Sequence, residues 1–339
     1  MPVSVDELCR RAGVARITAY RVISGRVKVA EPTRQKVLRA MEELGCPKMR
    51  SRSRRARGRG IVLWGPLGDG VQQDPLFADI YKGLETAMAG RGRALSSISC
   101  PLPEEGAGLP VELLREKVDG VLTIGLYNRP LLAAMAKRWP LCCLLSSQLI
   151  PGAVAVAPDY GDGVRQAVEH LLARGHRRIG LVTGLIQERN LSRQMYEGYA
   201  GALLRAGLTV GPALVHSDAG NVGRIKPGKP LPLARQAGLT LLTSPSRPTA
   251  IVAREDSEAG LLAAAAELGL AVPGDLSFVL VGGRTPAAQE PPRMTRVACS
   301  ADELAEIALR AVTLAPPRGA RILVPVELRE GSSVRDLRG

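Results

Sequence analysis

The chain has 339 residues, 45% of them hydrophobic and 3% aromatic. That length and composition exclude a disordered or fibrous protein and allow two or three domains with a sizeable core. The formal net charge of +14 is unevenly spread: residues 1–60 hold 16 Lys/Arg against 5 Asp/Glu, a net of +11, which leaves +3 for the rest.

Such asymmetry points to a polyanion held by one end of the molecule through salt-sensitive phosphate contacts. A membrane surface is the weaker partner, because the basic end carries few bulky aromatics and no lipidation signal. No N-terminal apolar run reads as a signal peptide, and no stretch reaches the ~18 apolar residues of a membrane span, so a cytoplasmic location is expected. The cysteines (Cys9, Cys46, Cys100, Cys142, Cys143, Cys299) lack zinc-ligand spacing and read as reduced, mostly buried thiols.

In chain order, Ser4 to Arg11 reads as a short helix, Ala12-Gly13-Val14 as a tight turn and Ala15 to Ile23 as a second helix. This is a helix-turn-helix, which lays its second helix in a DNA major groove. Ser4 with Glu7 three residues on is a capping-box start, and Val5, Leu8 and Val14 supply apolar contacts. Gly13 permits a left-handed turn. On the second helix Thr18, Val22 and Ile23 divide between backbone contact and core. Arg16, Ile17, Tyr20 and Arg21 lie on its exposed part, where arginines suit guanine edges and phosphates. A third helix runs from Pro32 through Val37, Leu38, Met41 and Leu44 to Gly45. An amphipathic helical N-terminus without DNA activity is the bland alternative.

Residues 48–60 form a linker with seven basic residues and no acids between Lys48 and Arg59. It reads either as a solvated tether or as a segment that orders along the DNA backbone.

Beyond the linker, apolar strand-like runs fall at Ile61–Trp64, Val121–Ile124, Leu141–Leu145, Ile179–Thr183, Ala250–Ala253 and Phe278–Val281. Helical patterns fill the gaps at Phe77–Gly90, Leu131–Trp139, Gly163–Arg174, Tyr196–Ala206 and Glu258–Leu268. Alternation of this kind implies parallel sheets flanked by helices. Gly65 to Gly70 follows a strand but lacks both the G-x-G-x-x-G order and a P-loop lysine, so it reads as a turn. His170, His176 and His216 have no metal-ligand partner at helical spacing, and no Ser or Cys nucleophile motif is present, so no enzyme, metal or cofactor is expected.

The order of residues goes further than these patterns. Val5-Asp6-Glu7-Leu8, Ala12-Gly13-Val14, Thr18, Arg21-Val22-Ile23-Ser24-Gly25, Thr33-Arg34 and Glu42-Glu43-Leu44-Gly45 closely resemble the headpiece of the lactose-repressor family of bacterial transcription regulators. The resemblance continues through Asp74-Pro75-Leu76-Phe77, Lys82-Gly83-Leu84-Glu85, Val118-Asp119-Gly120-Val121, Ala167 to Leu171, Gly175 to Ile179 and Glu197-Gly198-Tyr199. It also covers Arg247 to Ile251, Glu267 to Leu270 and Leu328 to Ser333, so it spans nearly the whole chain.

The resemblance implies a small all-α helix-turn-helix headpiece (1–47) and the basic hinge (48–60). These are followed by a periplasmic-binding-protein-like (type I) α/β core of two subdomains with parallel sheets (61–335). The subdomains would comprise 61–157 plus 285–312 and 158–284 plus 320–331, with an effector cleft between them. It further implies a repressor acting as a homodimer on a pseudo-palindromic operator, because one headpiece reads too few base pairs for specificity. Arg16, Ile17 and Arg21 are the expected base readers, with Thr18 and Tyr20 on phosphates and Ser4 and Arg26 beside them. In the hinge, Arg50, Arg52, Arg54, Arg55 and Arg57 stand without the family's leucine wedge, which favours electrostatic binding over a sharp kink. Ala15 and Ala30 replace helix caps common in the family.

For the cleft, the resemblance places Asp74 and Phe77 at the lip of the first subdomain. Ser146 stands where an aspartate is common, Met195 where an arginine is frequent, Glu255 after Arg254 where an aspartate often grips hydroxyls, and Gly282-Gly283 where two aspartates are usual. These changes disfavour a conventional sugar. Arg189, Arg193 and Arg254 suit an anionic metabolite by bidentate contact. Two other readings stay open: an arginine-rich DNA binder with a non-sensing core, and a cytosolic solute-binding protein or enzyme on the same fold.

Overall fold

A computed structural model of the chain describes residues 10–15, 18, 22, 29–43, 60–65, 75–92, 95–99, 108–114, 118–126, 128–184, 186, 191–218, 231–282, 294–314 and 316–338. The chain forms two compact units, Met1–Gly58 and Arg59–Gly339.

In the first unit, helix α1 (Glu31–Glu43) begins with Glu31 and Pro32, an acidic group and a fixed φ that both suit a first turn. Val37 and Ala40, three apart and so on one face, are buried with Ala12, and Val14 and Val22 pack against them. Val22 therefore falls to the core side of its helix. Gly13 adopts φ +61°, the left-handed conformation expected at this turn. The Ala30 carbonyl accepts from Thr33 and Arg34, both at 3.0 Å, so the chain turns into α1 without a side-chain cap at Ala30.

The second unit holds two six-stranded sheets. The strands are β1 (Gly60–Gly65), β2 (Leu95–Ser99), β3 (Val118–Ile124), β4 (Leu141–Leu144), β5 (Ala153–Pro158), β6 (Ile179–Gly184), β7 (Val215–Asp218), β8 (Ala250–Arg254), β9 (Ser277–Val281), β10 (Thr295–Ala298), β11 (Ala320–Val324) and β12 (Glu327–Arg329). The first sheet runs β11-β5-β4-β3-β1-β2 and is parallel throughout. The second runs β12-β10-β9-β8-β6-β7, parallel except for the antiparallel edge strand β12. Central strands such as β4 (LCCL) and β6 (IGLVTG) are buried at every position, as parallel strands covered on both faces require.

Helices supply that cover. On the first sheet, α2 (Pro75–Gly90) and α9 (Ala301–Ala311) pack on one face, and α3 (Val111–Leu114) and α4 (Arg129–Ala136) on the other. On the second sheet, α5 (Tyr160–Ala173) and α6 (Leu191–Arg205) cover one face, and α7 (Leu231–Leu242) and α8 (Glu258–Glu267) the other. Among the described residues no helix is long and apolar enough to cross a membrane.

The chain passes between the subdomains after β5, after β10 and after β11. The expected assignment of 285–312 to the first subdomain and 320–331 to the second needs correcting at both places. Strand β10 extends the second sheet, beside β9, while only α9 packs on the first. Strand β11 pairs with β5 in the first sheet, and only β12 returns to the second. The difference arises because each crossing occurs inside a short run: four residues of β10 precede α9, and β11 and β12 are separated by two residues.

Past β12 the tail is laced to the strand starts of the second sheet. Ser333 is fully buried; its Oγ donates to the Phe278 carbonyl (2.7 Å) and accepts from the Thr295 amide (2.8 Å). The Arg335 amide donates to Ser277 Oγ at 3.0 Å, and the Leu337 amide to the Arg174 carbonyl at 2.8 Å.

Candidate nucleic-acid interface and effector cleft

Most of the expected DNA-contacting residues lie outside the described residues: Ser4, Arg16, Ile17, Tyr20, Arg21, Arg26, Arg50, Arg52, Arg54, Arg55 and Arg57. Thr18 is helical and half-buried, its amide donating to the Ala15 carbonyl at 2.8 Å. That bond turns the chain into the second helix directly after Gly13. Across the unit, Arg11 pairs with Glu43 at 2.7 Å and joins the first helix to the end of α1.

In the second unit the three crossings fix how the sheets face one another. Each leaves the carboxyl end of a strand (β5, β10, β11) and enters an element that starts at the carboxyl ends of the other sheet (α5, α9, β12). The strand carboxyl ends of the two subdomains therefore oppose each other, which is where ligands of open α/β sheets bind. Asp159 and Ser300 anchor two of these crossings as helix caps, accepting from Asp162 N (3.0 Å) and Glu303 N (3.2 Å). Cys299 packs against the cores of both subdomains.

On the second subdomain this brings together residues far apart in sequence. Gly184 ends β6 so close to its neighbours that a Cβ there would lie 2.8 Å from Ser192 Oγ and 3.0 Å from an Arg254 guanidinium nitrogen. Arg254, at the end of β8, is held by Asp256. Gly282 follows β9 with φ +103°, and a Cβ there would lie 3.3 Å from the Tyr160 hydroxyl and 3.9 Å from Cγ of Glu255. A guanidinium and a hydroxyl thus stand against Gly184, and a carboxylate side chain and a hydroxyl against Gly282, whose positive φ favours glycine. The sequence signal for Ser192, Tyr160 and the glycines was their position one step past a strand or at a helix start.

On the first subdomain, Leu145 follows β4 with φ +52°, a conformation costly for a branched side chain, and its amide is fixed by the Val156 carbonyl at 2.8 Å. The next residue, Ser146, is buried and its Oγ accepts from the Gln148 amide at 3.3 Å. Asp74 lies outside the described residues.

Two expected cleft residues turn into the cores instead. Phe77 is a core residue of the first subdomain, 5% exposed with its ring centroid 6.3 Å from that of Tyr81, rather than a stacking surface. Met195 is 1% exposed in the second core, where its sulfur accepts from Thr183 Oγ1. Both are the outcome of apolar side chains following the core face of their helices. Arg193 is exposed on α6 and pairs with Glu197 one turn on, at 2.8 Å.

The described thiols, Cys142, Cys143 and Cys299, are buried or half-buried. Burial pushes Cys143 and Cys299 up to about 11, and Cys142 well above its ordinary value, so all three stay protonated near neutral pH.

Two family models match the chain: the lacI family of bacterial regulatory proteins over residues 4–46, and the periplasmic binding protein-like domain over residues 168–334. The HTH-type transcriptional repressor PurR of Pectobacterium carotovorum subsp. carotovorum (strain PC1) is 30% identical over 81% of this chain and 79% of its own length. The chain belongs to the lacI family of bacterial regulatory proteins. Catabolite control protein A of Priestia megaterium is 26% identical over 92% of both chains. Among solved structures, the transcriptional regulator CelR–cellobiose complex aligns with 98% of this chain and 100% of its own, at a TM-score of 0.64 and 25% identity. The lac repressor dimer bound to operator and an anti-inducer shares the fold, with a TM-score of 0.65 over 99% of this chain and all of its own, at 20% identity.

Proposed function

We propose that this lacI-family protein is a transcriptional repressor that binds operator DNA as a homodimer in the cytoplasm and releases or tightens it when a small molecule enters the cleft. The observation that carries the reading is the union of a basic helix-turn-helix unit with a two-lobed body whose strand carboxyl ends face each other. Arg16, Ile17 and Arg21 read bases, Thr18 and Tyr20 hold phosphates with Ser4 and Arg26, and the arginines of residues 50–57 follow the backbone. Selection of bound sequences from a random duplex pool at about 150 mM salt tests this, because non-specific contacts weaken there. An enriched inverted repeat is expected; no enrichment overturns the sequence-specific reading.

For the effector, Arg254 is the cationic group beside Ser192 and Gly184, and Ser146 offers a hydroxyl from the opposing lobe. This set suits a small anionic metabolite with hydroxyls better than a neutral sugar. Asp74 and Glu255 would then exclude more heavily charged ligands by repulsion. A thermal-shift series of phosphorylated sugars, carboxylates and neutral sugars, repeated on Arg254→Gln, tests it. Anion-specific stabilisation lost in the variant supports the reading, and stabilisation by neutral sugars alone overturns it.

A further inference from the structure

Sheet β11-β5-β4-β3-β1-β2 has a second end, opposite the cleft, where its strands begin. The chain enters the body there, at Gly60, one residue after the basic linker. The turns at this end are locked into one surface. The Gly152 amide donates to the Pro316 carbonyl at 2.9 Å, and a Cβ on Gly152 would lie 3.5 Å from Ala136 at the end of α4. The Val121 amide donates to the Pro140 carbonyl at 2.9 Å, and the Gly319 amide closes the turn back to the Pro316 carbonyl at 3.0 Å.

Those turns present cations. Lys137 and Arg138 follow α4, Arg318 sits in the Pro316–Gly319 turn, and Arg321 lies at the start of β11; all four are exposed, and no carboxylate pairs with them among the described residues. Arg91, in the turn before β2, and Arg310, in the last turn of α9, share one carboxylate, Glu306, at 2.6 and 3.4 Å. Among the described residues, with Asp119 counted as well, six cations stand against two carboxylates. This surplus of four exceeds the +3 that the whole chain beyond residue 60 carries.

We propose that this strand-start face is a second DNA contact, a non-reading cationic surface that takes phosphates of the same duplex held by the linker and headpiece. The inference rests on the DNA-binding reading above and extends it to the body. Duplex DNA is the occupant that continuity selects, because the segment joined to this face is itself the linker with seven cations in twelve residues, Lys48 to Arg59. Spacing agrees. At ~4.8 Å between strands, the Lys137–Arg138 turn lies about 10 Å from where the chain enters and the Arg318 turn about 19 Å, which together match the rise of roughly six base pairs. At physiological salt the Debye length is about 8 Å, so charges this far from Gly60 act on a duplex by direct phosphate contact and not by long-range attraction.

The test uses the full chain and a duplex of fixed sequence. The apparent affinity is followed by fluorescence anisotropy across salt concentrations for wild type, for Lys137→Ala/Arg138→Ala/Arg318→Ala, and for Arg178→Ala/Arg247→Ala/Arg335→Ala. The last set removes equal charge from the strand starts of the second sheet. Each lost phosphate contact lowers the slope of log affinity against log salt by about 0.9, so the first variant is expected to lose about 2 to 3 in slope and 10- to 100-fold in affinity at low salt. The second variant is expected to match wild type. Equal slopes for wild type and the first variant overturn the proposal, as does an equal loss in both variants, which would trace the effect to net charge. If the triple variant misfolds, single variants Arg138→Ala and Arg318→Ala replace it: each is expected to lose about 1 in slope, and unchanged slopes in both overturn the proposal. A wild type that binds no duplex overturns the DNA reading itself and is distinguished from the outcomes above by its missing baseline.

Discussion

Gly198 on α6 lies directly against the backbone of Gly161 on α5, so closely that a Cβ on Gly198 would stand 2.9 Å from the Gly161 carbonyl carbon. Backbone cannot yield as a flexible side chain does. Gly198→Ala is therefore expected to destabilise the body by about 3 kcal/mol, the upper range for overpacking, through separation of the two helices. Denaturant unfolding checks this; a midpoint equal to wild type would show that α5 and α6 part at little cost.

Ser333→Ala leaves the Thr295 amide and the Phe278 carbonyl without the hydroxyl that joins them. Because the site is fully buried, a loss of about 1–3 kcal/mol is expected, with little change in volume. Thermal unfolding of the variant reads it, and Ser333→Thr should recover part of the loss only where the extra methyl fits.

His176 is buried, and burial lowers its pKa below the ordinary value. Its Nε2 lies 3.1 Å from the Arg335 carbonyl, which can only accept, so Nε2 carries the proton of the neutral ring and Nδ1 accepts from Thr249 Oγ1 at 2.9 Å. His170 is lowered as well, by burial first and then by Arg174. The unfolded chain then binds protons more readily than the folded one. Stability is complete above the unfolded histidine value of about 6.5 and falls as pH drops through it. Denaturation midpoints between pH 8 and pH 5 should show this decline, and His176→Gln should flatten it.

Arg21→Ala in the headpiece is expected to cost about 1–3 kcal/mol at one base pair of each half-site and to relax the preference there, if its contact is bidentate to guanine. Arg52→Ala in the linker should instead weaken all sequences alike and lower the salt slope by about 1. Comparing the selected sequence pools of the two variants separates the roles.

The central strands were legible in the sequence because parallel strands covered on both faces read as unbroken apolar runs, as in Ile61–Trp64 and Phe278–Val281. Of the six strands not anticipated most lack that signal, and β5 carries it only in residues as small as alanine and valine. Strand β2 is Leu-Ser-Ser-Ile-Ser at a sheet edge, β12 is three residues long, and β5 alternates alanine with valine. The cleft was partly legible: Arg254, Glu255 and Ser146 stand at strand carboxyl ends, but Phe77 and Met195 follow the apolar faces of their helices into the cores. Nothing local distinguishes an apolar residue at a ligand from one in the core. Gly184 and Gly282 act through what their missing side chains admit, and that depends on neighbours such as Arg254 and Tyr160, 70 and 122 residues away in sequence.

The interleaving of β10, β11 and β12 between the two sheets has a consequence for synthesis. The first sheet gains its edge strand only when residue 324 has been made, and the second only when residue 329 has. A ribosome releasing the chain from its N-terminus therefore exposes two unfinished sheets until residues 320–329 have emerged, with the edge of β5 that β11 will cover left open to pairing with another chain. The headpiece unit, complete by residue 58, precedes both. Nascent chains stalled before residue 320 should therefore be sticky through the body, and their solubility should rise sharply once residues 320–329 emerge.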